Sequence, residues 1–354
     1  MFNTKFLRQY LKQHPHYFGK YLKDIFRVWW WRIRRQPLVV LTTESGGLGD
    51  YLWFRSYYNA IREHYAPKQC RIIVVGMRQW EPLAFGLDSN AKPNHFDIYR
   101  SFESPDHPLK IESAFFKLFQ ADVYVNFRAQ HLKQLVKSRE CYFGDGFRKS
   151  KQYYESANNK VMNQWFTLPE TFKHTPPLIP IADKSRHDAL TKPYVVVVEG
   201  GNTQGKLSEE QVLTIVRTVL SQGYNILFNG DYKKLITNLT SDIKHQTSSI
   251  IDGYTYPLAE YPTVISNCQY VVTVNTFVYH LAIQLEKPCI VLSANEYESI
   301  ELNDPKQTIL FNKELQKAYE SHTLDSYTPI PSVNLQDIEC ERITTAIDEI
   351  ANKR

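Results

Sequence analysis

The chain has 354 residues, 43% of them hydrophobic and 22% charged, with 19 Phe, 23 Tyr and 6 Trp. That length accommodates two domains, each with its own core, and that apolar content excludes a disordered chain. No uncharged run nears the roughly 20 residues of a bilayer span, no apolar signal core follows the basic N-terminus, and five scattered cysteines without a CxxC pair exclude a disulfide frame or zinc site. A soluble, cytoplasmic, two-lobed protein is expected.

The charge is concentrated at one end. Residues 1–36 carry nine Lys or Arg against Asp24 alone, whereas the rest of the chain holds 33 bases and 36 acids. The same segment contains ten aromatics, including Trp29-Trp30-Trp31, with apolar positions at helical spacing (Phe2, Phe6, Tyr10, then Phe18, Leu22, Ile25, Trp29) and Pro15 dividing two helical pieces. A basic amphipathic helix rich in Trp and Phe suits the interface of an anionic membrane. The same face can equally pack on the protein's own body, and at this stage both readings stand. A mildly acidic body without basic clusters argues against a nucleic-acid partner.

From residue 37 onward short β-rich runs alternate with helical stretches. Strands are predicted over 38–42, 71–76 and 121–127, with helices over 51–65 and 111–119. The pattern weakens through 141–173, and His174-Thr175-Pro176-Pro177-Leu178-Ile179-Pro180 reads as a stiff boundary. Alternation then resumes: strands over 194–198, 224–228, 270–274 and 289–293, and helices over 208–221, 258–266, 278–285 and 337–351. Their near-continuous Val and Ile content is what parallel strands covered on both faces require. The expectation is an α/β protein with an N-terminal extension (1–36), an acceptor lobe (37–180), a donor lobe (181–335) and a C-terminal helix (336–354). Ligands of such sheets sit beyond the carboxyl ends of the strands.

Two places carry suitable chemistry there. Thr42-Thr43-Glu44-Ser45-Gly46-Gly47-Leu48-Gly49-Asp50 joins the first strand to the first helix. Its spacing is neither GxGxxG nor a P-loop. Asp50 is either a carboxylate serving the helix dipole or a general base for an acceptor hydroxyl. In the second lobe, Glu199-Gly200-Gly201-Asn202-Thr203-Gln204-Gly205-Lys206 offers loop amides and an ammonium to a diphosphate, or is a plain corner with a solvated lysine. Val274-Asn275-Thr276-Phe277-Val278-Tyr279-His280-Leu281-Ala282 again leads a strand into a helix, where Asn275 or Thr276 can cap and His280 is as well suited to a structural role.

In their order these blocks resemble glycosyltransferase family 9, the ADP-heptose:lipopolysaccharide heptosyltransferases of GT-B fold. The likeness rests on Gly49-Asp50-Tyr51-Leu52 running to Tyr65-Ala66-Pro67, on the Gly200–Gly205 loop with Lys206 and Ser208-Glu209-Glu210, and on Asn275 through Ala282 with Lys287-Pro288. It implies two Rossmann-like doubly wound lobes facing a cleft, plus the basic N-terminal helical extension. It further implies an inverting, metal-independent transfer of a heptose-like sugar, with Asp50 as catalytic base. Lys206, Gly201, Asn202 and Thr203 would hold the donor diphosphate, and Asn275, Thr276, Phe277 and His280 the donor corner. Gly47 and Gly49 would lie on the acceptor side; Arg128, at the end of the strand predicted over 121–127, either contacts an anionic acceptor there or is a solvated arginine. No cofactor is implied beyond a nucleoside-diphosphate sugar as co-substrate, an ADP-sugar by preference. The acceptor would be a bacterial surface glycolipid or glycan. The family's Asp is Asn275 here and its Gly is Phe277, departures that bear on the donor. Two other readings remain: a sugar-nucleotide epimerase or hydrolase on the same fold, and a non-catalytic binding or scaffold protein.

Overall fold

The computed structural model describes residues 18–42, 48–55, 62, 70–77, 80–85, 97–102, 122–126, 140–143, 193–201, 205–239, 241, 243–293, 306–320 and 334–353. The chain divides into two compact units, Met1–Lys149 with Asn158–Leu178, and Ser150–Ala157 with Ile179–Arg354. The expected helix over 111–119 and the proline-rich boundary lie outside the described residues, as does the part of the N-terminal pattern before Phe18.

The first unit opens with helix α1 (Phe18–Ile33), then β1 (Leu38–Thr42), α2 (Leu48–Arg55), β2 (Arg71–Met77), α3 (Glu81–Phe85), β3 (Ile98–Phe102), β4 (Val123–Asn126) and β5 (Glu140–Phe143). All five strands are parallel, in the order β3-β2-β1-β4-β5. Two aspartates close the starting edge of this sheet by the same device. Asp97 donates its amide to the carbonyl of Ile72 while its carboxylate accepts from the Ile72 amide (2.8 Å) and Arg71 (2.9 Å). Asp122 likewise donates to the Leu38 carbonyl and accepts from the Leu38 amide (2.8 Å) and Arg32 (2.7 Å). Each aspartate thus satisfies a strand end that has no further partner in the ladder.

The expected helix over 51–65 in fact starts at Leu48, so Asp50 falls within its first turn. The weak stretch after 141 contains β5, which sequence patterning did not reveal.

The second unit runs β6 (Tyr194–Val198), β7 (Gly200–Gly201), β8 (Gly205–Lys206), α4 (Glu209–Ser221), β9 (Asn225–Asn229), α5 (Tyr232–Asn238), β10 (Ile250–Asp252), α6 (Tyr261–Asn267), β11 (Val271–Val274), α7 (Phe277–Gln284), β12 (Cys289–Ser293), β13 (Gln307–Phe311), α8 (Lys313–Glu320) and α9 (Cys340–Asn352). Its main sheet is parallel throughout, in the order β10-β9-β6-β11-β12-β13. Numbered by position in the chain, that order is 3-2-1-4-5-6, the Rossmann arrangement. β6, β11 and β12 are wholly buried, as their predominantly apolar sequences require.

Helix α4 buries Val212, Ile215, Val216 and Val219, and α9 buries Ile343, Ala346, Ile347 and Ile350. These 3–4-spaced stripes pack the two helices together, each large side chain contributing about 1.5–3 kcal/mol. Gln211 secures the approach to α9, donating its amide to the carbonyls of Leu335 (3.0 Å) and Ile338 (2.7 Å). The helix expected over 258–266 is a 3-10 turn, Leu258–Glu260, followed by α6, because Pro262 stands at the start of the α-helix, where its missing N–H is not needed.

Candidate functional site

In the second unit the chain leaves β6 toward β9 on one side and returns to β11 on the other, so the sheet reverses direction of build between β6 and β11. Ligands of open α/β sheets bind at such a point, beyond the strand ends. The two donor-side sequence blocks meet there. β7 and β8 form a small antiparallel hairpin pairing Gly200 with Lys206 and Gly201 with Gly205. A Cβ on Gly201 would stand 2.9 Å from the Thr276 methyl, so glycine lets the hairpin lie against the β11 corner. Gly205 has φ +80°, a conformation that side-chain-bearing residues rarely adopt. Asn202 and Thr203, at the tip, lie outside the described residues.

Lys206 is exposed, and no described residue pairs with its ammonium. The flanking Glu199 is occupied: its carboxylate accepts from the Asp231 amide at 2.6 Å, and its own amide donates to the Asn229 carbonyl. The hairpin is therefore braced to the end of β9.

The two neighbouring helix starts differ. Helix α4 is closed by its own capping box, Ser208 Oγ accepting from the Gln211 amide and Gln211 Oε1 from the Ser208 amide. Helix α7 begins after Thr276, which stands at the cap position without capping; its hydroxyl lies 3.1 Å from Thr273 Oγ1 instead. Of the two residues expected to cap, Thr276 does not, because it is turned to its strand neighbour. The first amides of α7 therefore receive nothing from the hydroxyl at their cap position, the arrangement that suits an anion at a helix N-terminus.

Asn275 is buried and Phe277 half-buried. The Phe277 ring is 5.4 Å from that of Tyr261, whose hydroxyl donates to Asn229 Oδ1 and lies 3.2 Å from the Gly253 carbonyl. Burial raises the Tyr261 phenol far above its usual range, so it stays a donor. The Asn229 side-chain nitrogen is buried with no hydrogen-bond partner among the described residues. Sequence reading missed Asn229 and Tyr261. One signal was available: β9 ends in Asn229 followed by Gly230, much as β6 is followed by Glu199 and Gly200.

His280, one turn into α7, is 9% exposed, with its ring edge-on to Tyr279. Burial lowers its pKa to about 4, so the imidazole is neutral near pH 7 and supplies no positive charge to a phosphate. An unfolded chain takes up this proton near pH 6.5, the folded protein only near 4. Stability should therefore fall as the pH drops through that window, by up to ~3 kcal/mol from this group. Chemical denaturation of wild type and His280→Gln between pH 7 and pH 4 checks this: the variant should lose part of the acid slope, and parallel curves would contradict it.

In the first unit the corresponding reversal lies between β1 and β4. Asp50 is in the first turn of α2, the helix that follows β1, and Gly49 precedes it in the same turn. Gly47 and Arg128 lie outside the described residues; β4 ends two residues before Arg128. The residue after Asp50, Tyr51, is buried and stacks on the buried Trp80, centroids 5.3 Å apart and 19° from parallel, which fixes α2 beside the sheet. Among the described residues no group of three or more His, Cys, Asp or Glu side chains gathers as metal ligands.

Two doubly wound units, each with a polar corner at its sheet reversal, make a GT-B fold. Solved structures sharing it bear out the likeness to family 9 seen in the three sequence blocks. The glycosyl transferase family 9 protein from Veillonella parvula DSM 2008 aligns with a TM-score of 0.65 at 14% identity, over 90% of this chain and 98% of that one. E. coli ADP-heptose lps heptosyltransferase II gives 0.62 at 12%, over 90% and 99%. E. coli heptosyltransferase WaaC with ADP gives 0.53 at 13%, over 89% and 98%. No protein-family model and no curated protein matches the sequence.

Proposed function

We propose that this chain is a glycosyltransferase that moves a heptose-like sugar from a nucleoside-diphosphate sugar to a hydroxyl of a bacterial surface glycolipid or glycan, such as lipopolysaccharide core. The observation that carries this reading is the meeting of the Gly200–Lys206 hairpin with the start of α7 at the β6/β11 reversal. That corner offers backbone amides and the exposed ammonium of Lys206 to a diphosphate. E. coli WaaC, of the same fold, was solved with ADP, which favours an ADP-sugar.

In the proposed reaction Asp50 takes the proton of the acceptor hydroxyl, whose oxygen attacks the anomeric carbon as the bond to the diphosphate oxygen breaks. The configuration inverts. The departing diphosphate keeps the electron pair, and its charge is met by Lys206 and the amides of the hairpin and α7. No metal is assigned to this step. Phe277, packed toward Tyr261, stands where the family has glycine and is proposed to shape the donor pocket.

A thermal-shift panel with ADP, UDP, GDP, CDP and CMP tests the reading. ADP should raise the melting temperature, and Lys206→Ala should weaken its apparent affinity about tenfold or more, since a charge-assisted contact is lost. A shift with another nucleotide alone would keep the reaction and change the donor. No shift with any nucleotide would overturn the proposal.

A further inference from the structure

Helix α1 settles into two opposed faces. Asp24 (2% exposed), Val28 (3%) and Trp31 (9%) point inward at helical spacing. The inward face is pinned by Arg32 on Asp122 at 2.7 Å and by the Arg71 guanidinium 5.5 Å from the Trp31 ring. Opposite them, Phe26 (65%), Trp29 (54%), Trp30 (48%) and Ile33 (53%) are exposed. At 100° per residue these four fall within one arc about 100° wide. Lys23 and Arg27 border that arc, and Arg34 and Arg35 follow at its end, all exposed. The Arg34 guanidinium lies 4.6 Å from the Trp30 ring. The segment's single acid, Asp24, is on the buried side. Other large hydrophobics exposed to this degree are nearly absent from the described residues, Tyr254 being the exception.

We infer that the outer face of α1 is a docking surface for an anionic lipid bilayer. The two sequence readings of this segment are thus met by two faces of one helix, one packed and one open. Four cations without an exposed acid match a surface of anionic headgroups, each worth roughly a fivefold gain in affinity. Two indoles, a phenyl ring and an isoleucine form the apolar stripe that sits at headgroup depth. No helix among the described residues is long and apolar enough to cross a membrane, so the contact is peripheral. This inference does not depend on the transferase reading.

The test is cosedimentation of the full chain with vesicles of phosphatidylcholine alone and of phosphatidylcholine with phosphatidylglycerol at roughly 3:1. The protein should bind the anionic vesicles, less at high salt, and bind the neutral ones weakly. Trp29→Ala/Trp30→Ala and, separately, Arg27→Glu/Arg34→Glu should each weaken binding about tenfold or more. All four side chains are exposed, so melting temperature and nucleotide binding should stay at wild-type values. That separates failure here from failure of the proposed activity. Absent binding to anionic vesicles, or variants that bind as wild type does, would overturn the inference. So would a concentration-dependent dimer in sedimentation velocity that the Trp pair dissolves, because a second copy would then occupy the face.

Discussion

Replacing Asp50 with Asn is expected to lower turnover about 10²–10⁴-fold while the nucleotide still raises the melting temperature. The amide keeps the shape of the carboxylate and loses the ability to take a proton. The competing view, in which Asp50 only serves the dipole of α2, predicts a different result: a stability loss of about 0.3–1 kcal/mol and little change in rate. Nucleotide release measured with the donor that wild type turns over distinguishes the two. Retained turnover in Asp50→Asn would remove this residue from the mechanism.

Trp80→Ala should cost about 3–5 kcal/mol in the denaturation of the first unit. Trp80 is 1% exposed and holds Tyr51 by stacking, so its removal leaves a cavity beneath the turn that carries Asp50. Trp80→Phe should cost much less. It keeps an aromatic face and deletes a buried indole N–H that has no hydrogen-bond partner among the described residues. Denaturant titration of the three proteins provides the check. A loss below about 1 kcal/mol for the alanine variant would mean that the stack does not hold α2.

The strands legible in the sequence are those in the interior of the two sheets. β1, β2 and β4 in one, and β6, β9, β11 and β12 in the other, have a strand on each side and are rich in Val, Ile and Leu. Of the strands in the two large sheets, the four that patterning missed, β3, β5, β10 and β13, are their four edges; the short hairpin strands β7 and β8 were missed as well. Edges carry residues such as Arg100, Glu140 and Gln307, and Gln307, Thr308 and Ile309 remain partly exposed. The site was legible to the same local extent. Glycines and helix starts mark Gly201, Thr276 and Asp50 within a few residues of sequence. The contact between Asn229 and Tyr261 spans 32 residues and has no local signature. Nor did the sequence show that Thr276 would turn to Thr273 and not cap α7.

Because Asp122 takes both Arg32 and the amide of Leu38, α1 is fastened at the starting end of β1. The Asp50 turn follows the other end of the same strand. β1 is five residues long, so the two lie about 16 Å apart along the strand direction. A bilayer held by the outer face of α1 would therefore take hold of this lobe from the starting end of β1, a strand length away from the turn that carries Asp50.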